Sequence, residues 1–163
     1  MHPNEELINK FYSSFQKKDY KSMIGCYHKD VEFSDPIFNL KGWQAKAMWK
    51  MLVEKAASDF SLTYSVGKAD DLKGSAHWEP IYSFSKSGRI IHNIIDAEFD
   101  FKDGKIIKHC DRFSLWRWTR MALGTTGIFL GWTPKIQNKV KSEANSGLEM
   151  FIKRNRLKED SFN

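Results

Sequence analysis

The chain has 163 residues, 41% hydrophobic and 14% aromatic, which is enough apolar material for one domain with a real core and too much for a disordered chain. Its formal charge of +6 suits an acidic partner, but no nucleic-acid motif accompanies it. The basic residues near the C-terminus, among them Lys135, Lys139, Lys141, Lys153, Arg154, Arg156 and Lys158, read as the solvated face of a helix.

Cys26 and Cys110 form no CxxC or zinc-type series, so buried free thiols and no metal site are expected. No apolar run follows the charged N-terminus, and no window reaches membrane-spanning length. A soluble, reduced, cytoplasmic protein is the expectation.

Leu7, Ile8, Phe11, Tyr12 and Phe15 recur at helical spacing behind Asn4, which with Glu5 and Glu6 suits the cap and first turn of a helix. Asp19 caps a second short helix that runs to His28, where His28 serves the C-cap. In Asp30–Phe38, Val31 and Phe33 alternate with Glu32 and Ser34 as a short strand, and Pro36 ends its regular pairing. A third helix spans Trp43 to Ala57, with Ala47, Met48, Met51, Leu52 and Lys55 tracing its buried face. Asp59–Lys68 is another strand.

Three long strands of an antiparallel meander follow: Leu72–Ser85, Arg89–Phe101 and Lys105–Trp118, turned at Ser87-Gly88 and Asp103-Gly104. Strands this long in a small domain bend around something. In the second, Asn93, Ile95, Ala97, Phe99 and Phe101 share one face; His92, Ile94, Asp96, Glu98 and Asp100 share the other. In the third, His109, Asp111, Phe113 and Leu115 share a face.

Gly124, Gly127 and Gly131 lack the GxGxxG spacing of a nucleotide loop and suit close packing of a turn or short helix against the mouth of the sheet. Thr133 and Pro134 start a last helix with the stripe Ile136, Val140, Ala144, Leu148 and Phe151, and the tail from Arg154 is expected to fray. The expected organisation is one domain over 1–163, with 119–163 a glycine-containing segment and a basic C-terminal helix.

The stretch Asp19–Phe38, DYKSMIGCYHKDVEFSDPIF, with Gly42 beyond it, resembles the opening of the nuclear transport factor 2 (NTF2)-like superfamily. That group includes ketosteroid isomerases, SnoaL-like polyketide cyclases, scytalone dehydratase and limonene epoxide hydrolase. The likeness covers about Glu5 to Trp118. It implies an α+β cone, with N-terminal helices packed on a strongly curved, mostly antiparallel sheet and an apolar pocket between them. It also implies a homodimer paired through sheet faces. Against the ketosteroid isomerase pattern, Asp35 falls where that family keeps its general-base carboxylate. Asp96 falls where it keeps a protonated carboxylic acid that donates to the oxyanion. The family's oxyanion tyrosine falls on Phe11, and Tyr12 is one residue on, about 100° around the helix. The dehydratase's aspartate and two histidines have counterparts in Asp35, His92 and His109.

Burial in an apolar pocket raises a carboxyl pKa, and a second carboxylate nearby raises one of the pair further. That division yields a proton acceptor and a neutral donor, as proton abstraction beside a carbonyl requires. Asp35 is equally a turn residue before Pro36, and Asp96 equally part of a solvated strand face. Phe11, Tyr12, Tyr27, Phe33, Trp49, Trp78 and Phe113 are the candidate pocket lining; core packing accounts for the same aromatics. Two functions are expected in competition. One is a cofactor-free isomerase, cyclase or dehydratase acting on an apolar carbonyl compound through Asp35, Asp96, His92 and His109. The other is a non-catalytic module of the same fold that binds a small apolar ligand or a protein. Neither nucleic acid nor membrane is an expected partner.

Overall fold

A computed structural model describes residues 1–163. Helices α1 (Pro3–Gln16), α2 (Tyr20–Gly25) and α3 (Trp43–Glu54) pack on the inner face of one seven-stranded sheet. Its strands are β1 (Tyr27–Ser34), β2 (Asn39–Lys41), β3 (Ser61–Ala69), β4 (Lys73–Ser83), β5 (Ile90–His92), β6 (Ile95–Lys102) and β7 (Lys105–Arg112). They lie in the order β2-β1-β7-β6-β4-β3, with β5 added on β4. Only β1 and β7 run parallel, so the sheet is mixed but mostly antiparallel. Three further helices follow the sheet: α4 (Leu115–Leu123), α5 (Thr125–Leu130) and α6 (Pro134–Arg154).

The local signals set most element starts. Asp19 caps α2 by accepting from the Ser22 N–H, and Thr133 caps α6 with Pro134 in its first turn. Helix α1 is capped by His2 instead of Asn4. The His2 ring accepts from the Asn4 N–H, while the Glu5 carboxylate accepts from the His2 N–H. Asn4 turns its side chain to donate to the Asp70 carbonyl. Helix α2 stops at Gly25, and Tyr27 and His28 open β1, because the Cys26 carbonyl already accepts from Ile106 on β7. Helix α3 buries Ala45, Trp49 and Val53 beside Ala47, Met48 and Met51, leaving Leu52 exposed. The buried stripe follows Trp49, whose indole N–H has a partner inside.

Two of the long strands are shorter than the alternation implied. Arg89–Phe101 is broken into β5 and β6 at Asn93-Ile94, although both pieces keep one register against β4, with Trp78 opposite Ile95 and Ile81 opposite His92. Pro80 lies opposite Asn93: its carbonyl accepts from the Asn93 N–H, but its ring nitrogen has no hydrogen to return. Lys105–Trp118 ends at Arg112, where Ser114 accepts from the Arg117 N–H and caps α4.

The alternation along β6 and β7 sorts the two faces. Ile95, Ala97, Phe99 and Phe101 are buried with Ile106, His109 and Asp111, and they join Ile8, Phe11, Tyr12 and Phe15 of α1 and Met48 and Trp49 of α3. Leu148 and Phe151 of α6 belong to the same core. The tail does not fray: Leu157 and Phe162 pack against that core, the latter from a short 3₁₀ turn at Glu159–Phe162.

Helix α4 lies over the end of the sheet where β1 and β7 finish. Leu115, Trp118 and Ala122 form a second cluster with Ile91 of β5. The Arg117 guanidinium donates to the His92 carbonyl (2.5 Å), and Arg89 donates to the Met121 carbonyl (2.7 Å). Ile37 and Phe113 touch both clusters. Asn145 of α6 donates to the Ile37 carbonyl at 3.1 Å, so α6 ties down the Asp35–Phe38 loop at this end. No helix is long and apolar enough to cross a membrane.

Candidate functional site

His109 and Asp111 are two residues apart on β7 and therefore share its inner face. Both are buried, His109 completely and Asp111 with 4% exposed. They anchor a chain of polar groups that crosses the core. The Trp49 indole N–H donates to the Tyr27 hydroxyl oxygen (2.7 Å), and that oxygen is 2.7 Å from His109 Nδ1. His109 Nε2 is 2.9 Å from Asp111 Oδ1, which also accepts from the Trp78 indole N–H at 3.3 Å.

One proton arrangement satisfies every member of this chain. Asp111 accepts twice, His109 carries its hydrogen on Nε2, and Tyr27 donates to Nδ1 while accepting from Trp49. A doubly protonated ring would leave the Tyr27 hydroxyl hydrogen without an acceptor. The chain is sealed by rings: Phe99, Phe33 and Phe11 lie 4.5, 5.1 and 5.5 Å from the His109 ring, and Trp49 stacks on it at 5.8 Å.

Tyr12 is the exception to this satisfaction. It is fully buried, and its hydroxyl has no hydrogen-bond partner. Burial holds its pKa well above the usual range, and the negative charge of Asp111 pushes the same way. The helical offset from Phe11 does not turn Tyr12 away from the interior. Phe11 stacks on Tyr27, while Tyr12 lies against Tyr64 and Trp78, so the two residues fill adjoining parts of one core.

Asp35 lies just beyond β1, at the end of the sheet that α4 and α6 cover. Its Oδ1 accepts from the Ile37 and Phe38 N–H groups, at 2.7 and 2.6 Å, as an Asx turn does. Oδ2 is not used. Burial raises the carboxyl from 3.8 to about 6 against the pull of those two N–H groups, with a smaller push from Asp111. Turn former and desolvated carboxyl are thus the same residue.

Asp96 and His92 are not brought to this interior. Asp96 is on the outer face of β6 with its side chain 77% exposed, where it accepts from the His77 ring at 2.7 Å. Glu79 accepts from the other His77 nitrogen (2.9 Å) and from His92 (2.6 Å). These carboxylates raise the His77 pKa, and the two histidines lower that of Glu79. The reason is the strand period of two: Asp96 alternates with Ile95 and Ala97, which the core requires.

Of the expected lining, Phe11, Tyr12, Tyr27, Phe33, Trp49 and Trp78 are all buried, and their rings touch one another. Phe113 is half-buried between the two clusters. The buried rings pack on one another around His109. The surface recesses of about 280 and 350 Å³ lie against Met1 and Val66 and against Tyr20 and Phe162, and neither is lined by Asp35, His109 or Asp111. The sequence signal for Asp111 is its place two residues from His109 on an otherwise apolar strand face.

Comparison with known proteins agrees with this architecture. The model of the SnoaL-like domain matches residues 8–109. No curated protein matches the sequence. Among solved structures, TerC co-crystallised with polyporic acid is 17% identical, with a TM-score of 0.64, covering 76% of this chain and 100% of that one. An NTF2-like protein of unknown function from Burkholderia pseudomallei is 13% identical (TM-score 0.63; 75% and 98% covered). An LEH-like epoxide hydrolase from M. tuberculosis is 12% identical (TM-score 0.58; 74% and 90% covered). At these identities the structural likenesses carry the fold alone, which is NTF2-like, whereas the family match spans more than half of the sequence: the chain belongs to the SnoaL-like domain family.

Proposed function

We infer that this protein is an acid–base enzyme acting on a small apolar carbonyl compound, with its chemistry at Asp35, Tyr12 and the His109–Asp111 pair. The observation that carries the reading is the Tyr12 hydroxyl, buried without a partner in the field of Asp111. An unsatisfied buried hydroxyl costs about 1–3 kcal/mol, and phenylalanine would fill nearly the same volume without that cost. A group kept at such a cost is a candidate hydrogen-bond donor for a substrate oxygen.

In this reading Asp35, with its pKa near 6 and its Oδ2 free, takes the proton from the carbon beside the carbonyl. The electrons of that C–H bond move into the enolate, whose oxygen accepts from Tyr12. The proton then returns from Asp35 to another atom of the product. His109 and Asp111 hold a fixed charge and dipole beside both groups. Substrate enters past Ile37 and Phe113, where the two apolar clusters meet.

Proton exchange at the carbon beside the carbonyl, followed by NMR in D2O across a panel of apolar enolisable ketones, tests this directly. Exchange is expected with the wild-type chain, lost in Tyr12→Phe and Asp35→Asn, and retained in Asp96→Asn. The closed packing of rings around His109 favours a second reading, a non-catalytic binder of apolar ligands. Saturable ligand binding with no exchange on any ketone would select that second reading.

A further inference from the structure

Helix α5 turns its smallest residues inward and its largest outward. A Cβ on Gly127 would lie 1.9 Å from the Thr119 carbonyl oxygen, and one on Gly131 would lie 2.1 Å from Thr119 Oγ1. The two glycines let α5 close tightly on α4. As a result Ile128, Phe129 and Leu130 face away from the protein, with Trp132 just beyond. Phe129 is 71% exposed and Trp132 61%, and Trp116 of α4 is exposed beside them. This is not a loose end, because both indoles are tied down: Trp132 Nε1 donates to the Phe129 carbonyl (3.0 Å) and Trp116 Nε1 to the Ile128 carbonyl (3.4 Å). Their polar N–H groups are satisfied internally, and the ring surfaces remain uncovered.

The charge along this stretch of the chain has one sign, and Glu143, the first carboxylate beyond it, is paired with Lys86 at 2.9 Å. From Arg112 to Ser142 the sequence has no aspartate or glutamate. Arg112 pairs with Glu98, and Arg117 is held by the His92 carbonyl. Arg120, Lys135 and Lys139 are exposed, and no carboxylate lies within ion-pair distance of any of them. Arg120 stacks over the Trp116 ring at 4.6 Å, which places one cation directly on the apolar patch.

We propose that the α4–α5 face docks on the headgroup layer of an anionic bilayer. Phe129, Leu130 and Trp132 enter the acyl boundary, and Arg120, Lys135 and Lys139 meet lipid phosphates. Aromatic and aliphatic side chains inside a rim of lysine and arginine are the composition that binds this interface. A second copy of the chain fits less well. A two-fold contact would lay this basic stretch on a second copy of itself, which has no carboxylate from Arg112 to Ser142 to meet it. The patch also offers only a few large side chains, against about 20–30 residues a side in stable interfaces. None of these residues belongs to the Asp35–Asp111 site, so membrane docking stands apart from the enzymatic reading.

The test is flotation of the full chain with vesicles of phosphatidylcholine alone and of phosphatidylcholine mixed with phosphatidylglycerol. Binding is expected only with the mixed vesicles and is expected to weaken as salt rises. Phe129→Ser with Trp132→Ser is expected to lower partitioning roughly tenfold or more. Lys135→Gln with Lys139→Gln is expected to lower it roughly tenfold as well. Brominated lipid should quench tryptophan emission of the unaltered chain, a readout that depends on no variant folding. Failure of the wild-type chain to float with either vesicle overturns the proposal. So does binding that is undiminished by the Phe129 and Trp132 changes, which would reduce it to general basic charge. A dimer that the same changes convert to monomer, with no flotation, assigns the face to self-association instead.

Discussion

His109 Nε2 and Asp111 Oδ1 lie 2.9 Å apart inside the core, on two residues of one strand separated by a single intervening cysteine, Cys110. A histidine and a carboxylate at that spacing share one face of the strand, here the inner one, and a core accepts them only if their remaining valences are met. Tyr27, Trp49 and Trp78 meet them.

Asp111→Leu would strand the His109 and Trp78 N–H groups together. Each buried donor left without an acceptor costs about 1–3 kcal/mol, so the urea midpoint should fall sharply. Asp96→Asn, on the exposed side of the neighbouring strand, should leave that midpoint nearly unchanged. Equal effects from the two substitutions would mean that the buried chain is not a structural unit.

Tyr12→Phe is expected to move stability and catalysis in opposite directions. Removing an unpartnered buried hydroxyl should stabilise the fold by about 1 kcal/mol. Loss of an oxyanion donor should lower turnover by about 10²–10³-fold. Urea unfolding and α-proton exchange on the same sample check both. A variant that is more stable and equally active would show that Tyr12 only fills space.

Asp35 makes stability depend on pH in a direction unusual for a carboxylate. Its folded pKa, about 6, lies above the ordinary value of 3.8. The contribution of its neutral form is therefore fully present below about 4 and is lost as pH rises through 6. Asp35→Asn keeps an oxygen for the Ile37 and Phe38 N–H groups and removes the charge. It should match the wild type near pH 4 and exceed it by roughly 1–3 kcal/mol at pH 8, because a tenfold change in proton affinity is worth about 1.36 kcal/mol. Unfolding curves at the two pH values decide it, and a difference that does not change with pH would mark Asp35 as an ordinary solvated turn residue.

Gly127 and Gly147 make a matched pair of tests on the C-terminal helices. Alanine at Gly127 must displace the Thr119 backbone and should cost about 1–3 kcal/mol. Alanine at Gly147, with nothing within 4 Å of its Cβ, should stabilise α6 by about 0.5–1 kcal/mol. Thermal melts of both variants compare them. A neutral Gly127→Ala would mean that α5 is not held tightly on α4.

The sequence by itself determined the α+β class, the helix caps at Asp19 and Thr133, and which side chains share each face of β6 and β7. Those features depend on local chemistry and on the period of two along a strand, both carried by neighbouring residues. The same alternation sets Asp96 with Glu98 and Asp100, and His109 with Asp111; only the ketosteroid isomerase resemblance points Asp96 toward the site.

Only the tertiary structure decided the rest. That Pro80 faces Asn93 and splits the middle strand depends on the register of β4 against β5 and β6, which no local pattern states. That Trp49, Tyr27, His109, Asp111 and Trp78 form one chain of hydrogen bonds depends on α3, β1, β7 and β4 meeting across the core. That Gly127 and Gly131 both face Thr119, and so turn Phe129 outward, depends on the angle at which α5 folds back on α4. These relations join residues far apart in the chain, and only packing, which acts on all of them at once, selects the one arrangement that leaves few buried polar groups unpaired.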